Sequence, residues 1–410
     1  TLFFMFAFFL VSLAVILEYV FQKKMQTALY LLPFVLFICF ISVILPSKNE
    51  PIRWTFVRSF VSSVTDLADE VWSNLRVGFG ESGSYSIAFA GYSESGKIKG
   101  KVLGSDQVAL TVNGKKTRQN VYLTGSVYDT YQLNGWSKSQ EGRLSEEELQ
   151  LDVFEFYNAL YQLGYSKETL DQFIGTHSMD LIYQNIKTKS VFYPLKAYSI
   201  TIPDKFKLDQ KGTEYQFQKI YRKGVQYKTK FLVVDYEQAD AVNLLENQNM
   251  PYGTYEQVCN YIETMYETAS ISMLEEISSE NLMKKLNERK KDIQELYTAL
   301  PSNISQRVQE KAVELTEGKA TDYEKAKAIE TYLNEFPYTK SPSIPEEGEE
   351  ITDFLLYESK EGYCTYFATA MAVLLRCVDI PARYVEGFYL DYKDISEYHT
   401  YEIPSDNAHA

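Results

Sequence analysis

The chain has 410 residues, a formal net charge of −14 and 15% aromatic residues. This length exceeds that of one ordinary domain, so we expect two or more folded units, and the aromatic content argues against a disordered chain. Because no long run of Lys and Arg occurs, the sequence argues against nucleic acid as a partner.

Two apolar segments open the sequence. Residues 1–17 carry no charged side chain, and residues 27–45 are again almost wholly apolar. A helix needs about 20 such residues to cross a bilayer, so both segments are predicted to be transmembrane helices. Lys23 and Lys24 favour a cytoplasmic connecting loop, which places residues 46–410 on the extracytoplasmic side. Because the sequence starts without Met and inside the first apolar segment, we expect it to be part of a longer protein.

The predicted order after the membrane helices of residues 1–45 is a juxtamembrane helix and linker at residues 46–79, followed by a β-rich domain at residues 80–248. Asn113-Gly114 and Asn134-Gly135 are typical of turns between neighbouring strands. A helical insert is predicted within this domain at residues 145–190. It begins at the capping-box pattern Ser145 to Glu148, and a second helix follows from about Lys167.

Helical patterning returns in residues 249–410, which are predicted to form a helical lead-in and then a core from about residue 321. Thr321 and Glu324 form a second capping-box pattern. The helix that they open has Ile329 and Leu333 on one apolar face. The predicted fold class is therefore α+β, with two transmembrane helices ahead of the exterior part.

Cys364 is the candidate nucleophile of the C-terminal segment. It precedes Phe367 and Met371, whose spacing places all three on one face of a helix, with Cys364 in the first turn. The unpaired N–H groups and the dipole of a helix start favour negative charge, so this thiol is expected to ionise easily. His409 lies in a later predicted strand, and a Cys at a helix end facing a His on a strand can form a thiolate–imidazolium pair.

The remaining Cys and His residues indicate no further site. The four cysteines of the chain are too few for a disulfide framework, and Cys259, Cys364 and Cys377 lack the spacing of zinc ligands. A bond from Cys259 to Cys364 or to Cys377 stays open. Neither nucleotide nor flavin motifs occur, so no cofactor and no metal are predicted. His177, placed in the helical insert, and His399, placed in a strand, are expected to be structural. Arg383 is expected to pair with a carboxylate beneath the site.

Three sequence blocks together resemble the transglutaminase-like core of the papain-like fold. They are Gly-Tyr-Cys-Thr-Tyr-Phe-Ala at residues 362–368, Ile-Pro-Ala-Arg-Tyr-Val-Glu-Gly at 380–387 and Asp-Asn-Ala-His-Ala at 406–410. Their order and spacing fit that core from about Thr321 onward. With the two apolar segments and the aromatic run at residues 127–136, the whole chain resembles bacterial membrane-anchored transglutaminase-like proteins.

The resemblance implies roles for individual residues. Cys364 would be the nucleophile, and His409 the general base and then the general acid. The third member of the family's triad is an Asp on the strand that would follow Ala410, so less than full activity is expected of these 410 residues alone. Asp379 stands where the family usually has Gly. The Cys364 N–H is a natural oxyanion donor, and a second donor is expected from an unidentified side chain upstream.

The implied function is acyl transfer from glutamine or other amide groups of protein substrates through a Cys364 thioester. An amine as second nucleophile would give a crosslink, and water would give hydrolysis. Two alternatives remain open from the sequence. One is a cysteine peptidase or amidase that uses Cys364 and His409, and the other is a non-catalytic membrane-anchored scaffold. The sequence does not indicate an oligomeric state.

Overall fold

The computed structural model describes residues 98, 106–139, 148–211, 214–247, 250–266, 280–346, 348–391 and 400–410. The predictions for the membrane segments, the juxtamembrane linker, Ser145 and His399 lie outside these ranges. Within the described ranges, no helix is both long and apolar enough to cross a membrane.

The described residues form alternating groups of strands and helices, which confirms the predicted mixture of both. The strands are β1 (Val108–Gly114), β2 (Val121–Tyr128), β3 (Thr130–Tyr131), β4 (Trp136–Ser137), β5 (Ile174–Tyr183), β6 (Thr188–Ser190), β7 (Tyr193–Pro194), β8 (Ala197–Thr201), β9 (Leu208–Lys211), β10 (Glu214–Tyr221), β11 (Gln226–Val234), β12 (Tyr384–Leu390), β13 (Thr400–Pro404) and β14 (Ala408–His409). The helices are α1 (Glu148–Leu163), α2 (Lys167–Phe173), α3 (Ala239–Glu246), α4 (Tyr255–Tyr266), α5 (Leu282–Thr298), α6 (Gln306–Thr316), α7 (Asp322–Leu333), α8 (Ile351–Asp353), which continues as a π-helical turn, and α9 (Cys364–Cys377).

Antiparallel sheets join distant parts of the chain. The largest has the strand order β13-β1-β5-β11-β8, and a second has the order β14-β12-β2-β7. Both sheets contain strands from before and after the boundary predicted at residue 248. Residues 81–410 accordingly form one compact unit rather than two separate ones.

The two Asn-Gly pairs have different structural roles. Asn134-Gly135 forms the predicted turn between β3 and β4, where the N–H of Gln132 donates to the carbonyl of Gly135 at 2.9 Å. The hairpin predicted at Asn113-Gly114 is wrong, because β1 pairs with β5 and β13 rather than with β2. Gly114 lies at the end of β1, where an added Cβ would be 2.9 Å from the carbonyl oxygen of Ser178. Close packing between strands explains this glycine.

The helical insert is shorter than predicted. Helix α2 begins at Lys167 as expected, but it ends at Phe173 and the chain continues directly as β5. His177 therefore lies in a strand and not in a helix, and its ring packs 5.9 Å from that of Phe231. The alternating burial along β5 explains the strand, because every second residue in its later half is buried in the sheet.

Helix α7 begins at the predicted capping box. The hydroxyl of Thr321 accepts from the N–H of Glu324, and the carboxylate of Glu324 accepts from the N–H of Thr321. Ile329 and Leu333 are buried as predicted. This helix packs against α9 and supports it from one side.

Helix α9 begins at Cys364, as predicted, but its most buried face is shifted by one residue. Tyr366, Ala370 and Val373 are fully buried, whereas Phe367 and Met371 are only partly buried. The more exposed face also contains Cys364. The nucleophile candidate therefore lies at the edge of the core and is partly buried.

The N-terminal strands pack against α9 through Trp136. Its indole stacks on the ring of Tyr384, with centroids 5.3 Å apart and planes 3° apart. Its Nε1–H donates to the hydroxyl of Thr369 on α9 at 2.9 Å. The guanidinium of buried Arg376 lies 4.9 Å from the centroid of the same indole. The aromatic run at residues 127–136 thus forms one wall of the C-terminal core.

Candidate active site

Cys364 and His409 line one small cavity, of about 30 Å³, together with Tyr338 and Glu386. Cys364 is the first residue of α9, and His409 lies on β14 opposite Gly387 of β12. An added Cβ at Gly387 would be 1.7 Å from the carbonyl oxygen of Leu123, so only glycine lets β12 approach β2 this closely. This contact positions β12, and with it β14, beside the start of α9.

Three donors surround the thiol of Cys364. They are the backbone N–H groups of Thr365 and Ala410 and the hydroxyl of Tyr338, and each lowers its pKa. Burial has the larger effect and raises the pKa of the thiol above its ordinary value, and the carboxylate of Glu386 raises it further. The expectation of an easily ionised thiol is therefore wrong for this state, because desolvation outweighs the donors at the helix start.

The imidazole of His409 packs against two tyrosines. Its ring centroid lies 6.0 Å from that of Tyr122 and 5.9 Å from that of Tyr389. Paired residues of neighbouring strands face the same side, so His409 lies on the side of Gly387 and Tyr389, and Glu386 faces the other. Burial lowers the pKa of His409 and favours the neutral ring.

The two candidate residues are thus neighbours without direct contact in this state. Among the described residues, no hydrogen bond joins the imidazole of His409 to the thiol of Cys364. The backbone of Ala410, rather than the ring of His409, provides the contact from this part of the chain. The thiolate–imidazolium pair stays a prediction, and forming it requires the imidazole to turn toward Cys364.

Tyr338 is a site residue that the sequence did not identify. It forms a parallel bridge with Gly362, and the N–H of Thr339 donates to the carbonyl of Gly362 at 2.7 Å. Its ring lies 6.3 Å from that of Phe367 in a stacked arrangement, and 58% of the residue is exposed. Its hydroxyl accepts from the N–H of Cys364 and also hydrogen-bonds the thiol.

Tyr338 precedes Cys364 in the sequence and lies beside it, which fits the side-chain oxyanion donor that the resemblance implies. Burial and the neighbouring Cys364 raise its pKa to about 12, so the phenol keeps its proton at neutral pH. The Tyr338 O–H and the Cys364 N–H meet beside the thiol, and a substrate oxygen that enters between them would replace their present partners, the thiol and the phenol oxygen. Pro337 was the sequence signal that the helix of Asp322–Leu333 does not extend to Tyr338.

Glu386 is the second site residue that the sequence did not single out. Only 5% of it is exposed, and its two carboxylate oxygens accept from the hydroxyls of Tyr128 and Tyr384, each at 3.1 Å. Strand alternation could have found it, since Glu386 and Tyr384 must share the face of β12 that packs against α9.

The other residues weighed from the sequence lie elsewhere. Arg383 lines a separate cavity of about 180 Å³ with Glu148, Asp152 and Tyr297. It hydrogen-bonds the Tyr297 hydroxyl and interacts electrostatically with both carboxylates. The thiols of Cys259 and Cys377 are free. Across the described part of the chain, no group of three His, Cys, Asp or Glu side chains is placed to hold a metal ion.

Comparisons with known proteins bear on the C-terminal part first. A sequence model of the transglutaminase-like superfamily matches residues 309–410. A protein-glutamine gamma-glutamyltransferase of Pseudomonas aeruginosa is 32% identical over 89 residues, which cover 22% of this chain and 13% of that protein.

Longer matches extend over the N-terminal strands. YebA, an uncharacterized protein of Bacillus subtilis, is 26% identical over 377 residues, which cover 88% of this chain and 42% of the relative. The crystal structure of the periplasmic domain of TgpA from Pseudomonas aeruginosa aligns at a TM-score of 0.46 and 16% identity, covering 74% of this chain and 82% of that one. The chain therefore spans less than half the length of either sequence relative.

The superfamily match contains the cavity-lining residues Tyr338, Cys364, Glu386 and His409. Its order of elements is also the predicted one, with a capped helix, a Cys at the start of a buried helix and a His on a following strand. Residues 309–410 of this chain therefore resemble the transglutaminase-like superfamily, and the match includes the candidate site.

Proposed function

We propose that this chain is a thiol acyltransferase that attacks glutamine side-chain amides of proteins through a Cys364 thioester. The observation that supports it best is the hydrogen-bonded group at the start of α9, where a thiol, a backbone N–H and a phenol O–H converge. A nucleophile next to two donors is the arrangement that stabilises a tetrahedral oxyanion. The superfamily of residues 309–410 is consistent with this chemistry.

The first half of the reaction forms the thioester. The thiol of Cys364 gives its proton to the neutral imidazole of His409, and the thiolate sulfur bonds to the amide carbon. The oxyanion accepts hydrogen bonds from the Cys364 N–H and the Tyr338 hydroxyl. The C–N bond then breaks as the imidazolium returns the proton to the leaving nitrogen, which departs as ammonia.

The second half transfers the acyl group to an amine or to water. The new nucleophile loses a proton to His409 while it attacks the thioester carbon, and the C–S bond breaks to restore the thiol. Both halves require the imidazole to leave Tyr122 and Tyr389 and face the sulfur, so substrate binding is proposed to favour that orientation.

The proposed location is a bacterial membrane, with the catalytic part on the extracytoplasmic side. It rests on the two apolar segments within residues 1–45 and on Lys23 and Lys24 between them. The substrates would then be envelope proteins with accessible glutamines.

The test measures ammonia release from a glutamine-containing peptide by the purified chain and by Cys364→Ser, His409→Ala and Cys259→Ser variants. We expect release by the parent chain and by Cys259→Ser, which removes a thiol outside the cavity, and none by Cys364→Ser. His409→Ala should lose most of the rate, since a general base is worth about 10²–10⁴-fold. Release that survives Cys364→Ser would refute the proposed nucleophile.

A further inference from the structure

Glu386 brings a carboxylate into the cavity that contains the nucleophilic thiol. It is almost fully buried, and hydrogen bonds from Tyr128 and Tyr384 fix both of its oxygens at 3.1 Å. Two tyrosine hydroxyls that donate to one carboxylate stabilise its charged form and prevent the side chain from turning away. The acid is therefore a fixed negative charge beside Cys364, and the acyl-transfer steps described above do not use it.

A fixed negative charge at this place changes which groups are stable in the cavity. It opposes the thiolate of Cys364, whose pKa it raises. A cation that enters the cavity is attracted by the carboxylate and offsets this opposition, whereas an anion is repelled and a neutral molecule gains neither effect. Lys340 also lines the cavity, but its Nζ lies 3.1 Å from the carboxylate of Asp406.

The reaction limits the kind of cation. The acceptor must attack the thioester carbon with a nitrogen that has lost a proton. An ammonium can lose that proton, whereas the guanidinium of an arginine stays charged. A primary amine at the end of a flexible chain satisfies both the charge and the chemistry.

Building on the thiol acyl transfer proposed above, we propose that Glu386 selects a cationic primary amine, such as a lysine side chain, over water as acceptor of the acyl group from Cys364. The ammonium gives one proton to the Glu386 carboxylate and becomes a neutral amine. Its nitrogen bonds to the thioester carbon and the C–S bond breaks. The second proton passes through His409 to the departing sulfur, and Glu386 returns the first proton to solvent. The products are an amide, the thiol and one proton.

The experiment separates acceptor choice from thioester formation. The purified chain is acylated on Cys364 with a p-nitrophenyl ester, which does not require amide cleavage. The thioester then reacts with water in competition with one added amine. The amine is either methylamine, which is cationic at neutral pH, or methoxyamine, which is neutral. Amide and acid products are counted by mass spectrometry for the parent chain, Glu386→Gln and Glu386→Asp. Glu402→Gln removes an exposed carboxylate of β13 outside the cavity and is the charge control.

We expect the parent chain, Glu386→Asp and Glu402→Gln to prefer methylamine. In Glu386→Gln the ratio of methylamine product to acid should fall about 10- to 100-fold, as for the loss of one charged hydrogen bond, while the methoxyamine ratio changes little. The ratio counts only acylated molecules, so a smaller folded fraction does not alter it. If Glu386→Gln does not fold, the test rests on whether the parent chain and Glu386→Asp both prefer methylamine to water.

The experiment distinguishes a failure of the role of Glu386 from a failure of the proposed acyl transfer. Equal methylamine ratios in the parent chain and Glu386→Gln, or no methylamine preference in the parent chain, would overturn the role of Glu386 and leave the proposed nucleophile intact. Acylation by the ester without ammonia release from glutamine peptides would overturn the proposed amide substrate alone. A Cys364 that the ester never acylates overturns both.

Discussion

The residues around Cys364 have opposing effects on its thiol. The N–H groups of Thr365 and Ala410 and the hydroxyl of Tyr338 favour the thiolate, while burial and Glu386 disfavour it and prevail. The sequence placed Cys364 at a helix start, where the nearby N–H groups were predictable. Burial and the proximity of Glu386 depend on strands far away in the sequence, so the direction of the pKa shift was not predictable from the local pattern.

Replacing Tyr338 by Phe removes the phenol donor but keeps the ring that stacks on Phe367. We expect the rate of Cys364 acylation by a glutamine peptide to fall by about 10²-fold or more, as for the loss of one oxyanion donor. The measurement is single-turnover ammonia release. Tyr357→Phe is the matched control, because its hydroxyl donates to the Arg307 carbonyl outside the cavity. A fall of less than about threefold would exclude Tyr338 as an oxyanion donor.

At the scale of the element, α9 ends in a left-handed turn, and this turn shows why the family has Gly where this chain has Asp379. Asp379 has a φ of 62°, a region that glycine adopts at no steric cost. The N–H of Ile380 donates to the carbonyl of Leu375 at 3.0 Å, and that of Asp379 to Arg376 at 3.1 Å. These two bonds are those of a Schellman motif. The sequence showed Asp in place of Gly, but only the backbone shows why Gly is expected there.

Asp379→Gly should stabilise the chain by roughly 0.5–1 kcal/mol, because it relieves the left-handed strain of a residue with a Cβ. The expected gain is smaller than the full strain, since the substitution also removes the acceptor of a 3.2 Å bond from Gln294. Urea unfolding measures the change in free energy. Gln294→Ala removes this bond together with the one to the Asp379 carbonyl, so it gives an upper limit for the loss. A destabilised Asp379→Gly beside an unaffected Gln294→Ala would contradict the argument.

At the scale of the whole molecule, the candidate site depends on strands from both halves of the chain. The site-bearing β12 pairs with β2, and β13 pairs with β1, so the two sheets that contain β12 and β13 are built from strands of both predicted segments. Segment types were predictable, including α7, α9 and β12, because their patterns are local. The sheet to which each strand belongs was not predictable in this way. Asn113-Gly114 has a local turn pattern, but burial against distant strands decides how β1 pairs.

Residues 309–410 produced alone are therefore expected not to fold cooperatively, although they contain the whole superfamily match. Without β2 and Trp136, the fully buried Tyr384 and Phe388 of β12 would face water. Circular dichroism during urea unfolding should show no sharp transition for this piece and a sharp one for residues 81–410, which form the compact unit. A sharp transition for the short piece would mean that the C-terminal core is autonomous.

The pairing of β1 with β13 also has a consequence for biosynthesis. Val108 lies opposite Pro404, so roughly 300 residues must be made before the β13 partner of β1 exists, although β5 can pair with the other edge of β1 earlier. At about 5–20 residues per second, one edge of β1 and one edge of β2 stay unpaired for on the order of 15–60 s. Long-range pairing of this kind folds slowly and exposes the nascent chain to aggregation. The emerging protein should therefore depend on chaperones until β12 and β13 arrive, and only then does the cavity around Cys364 form.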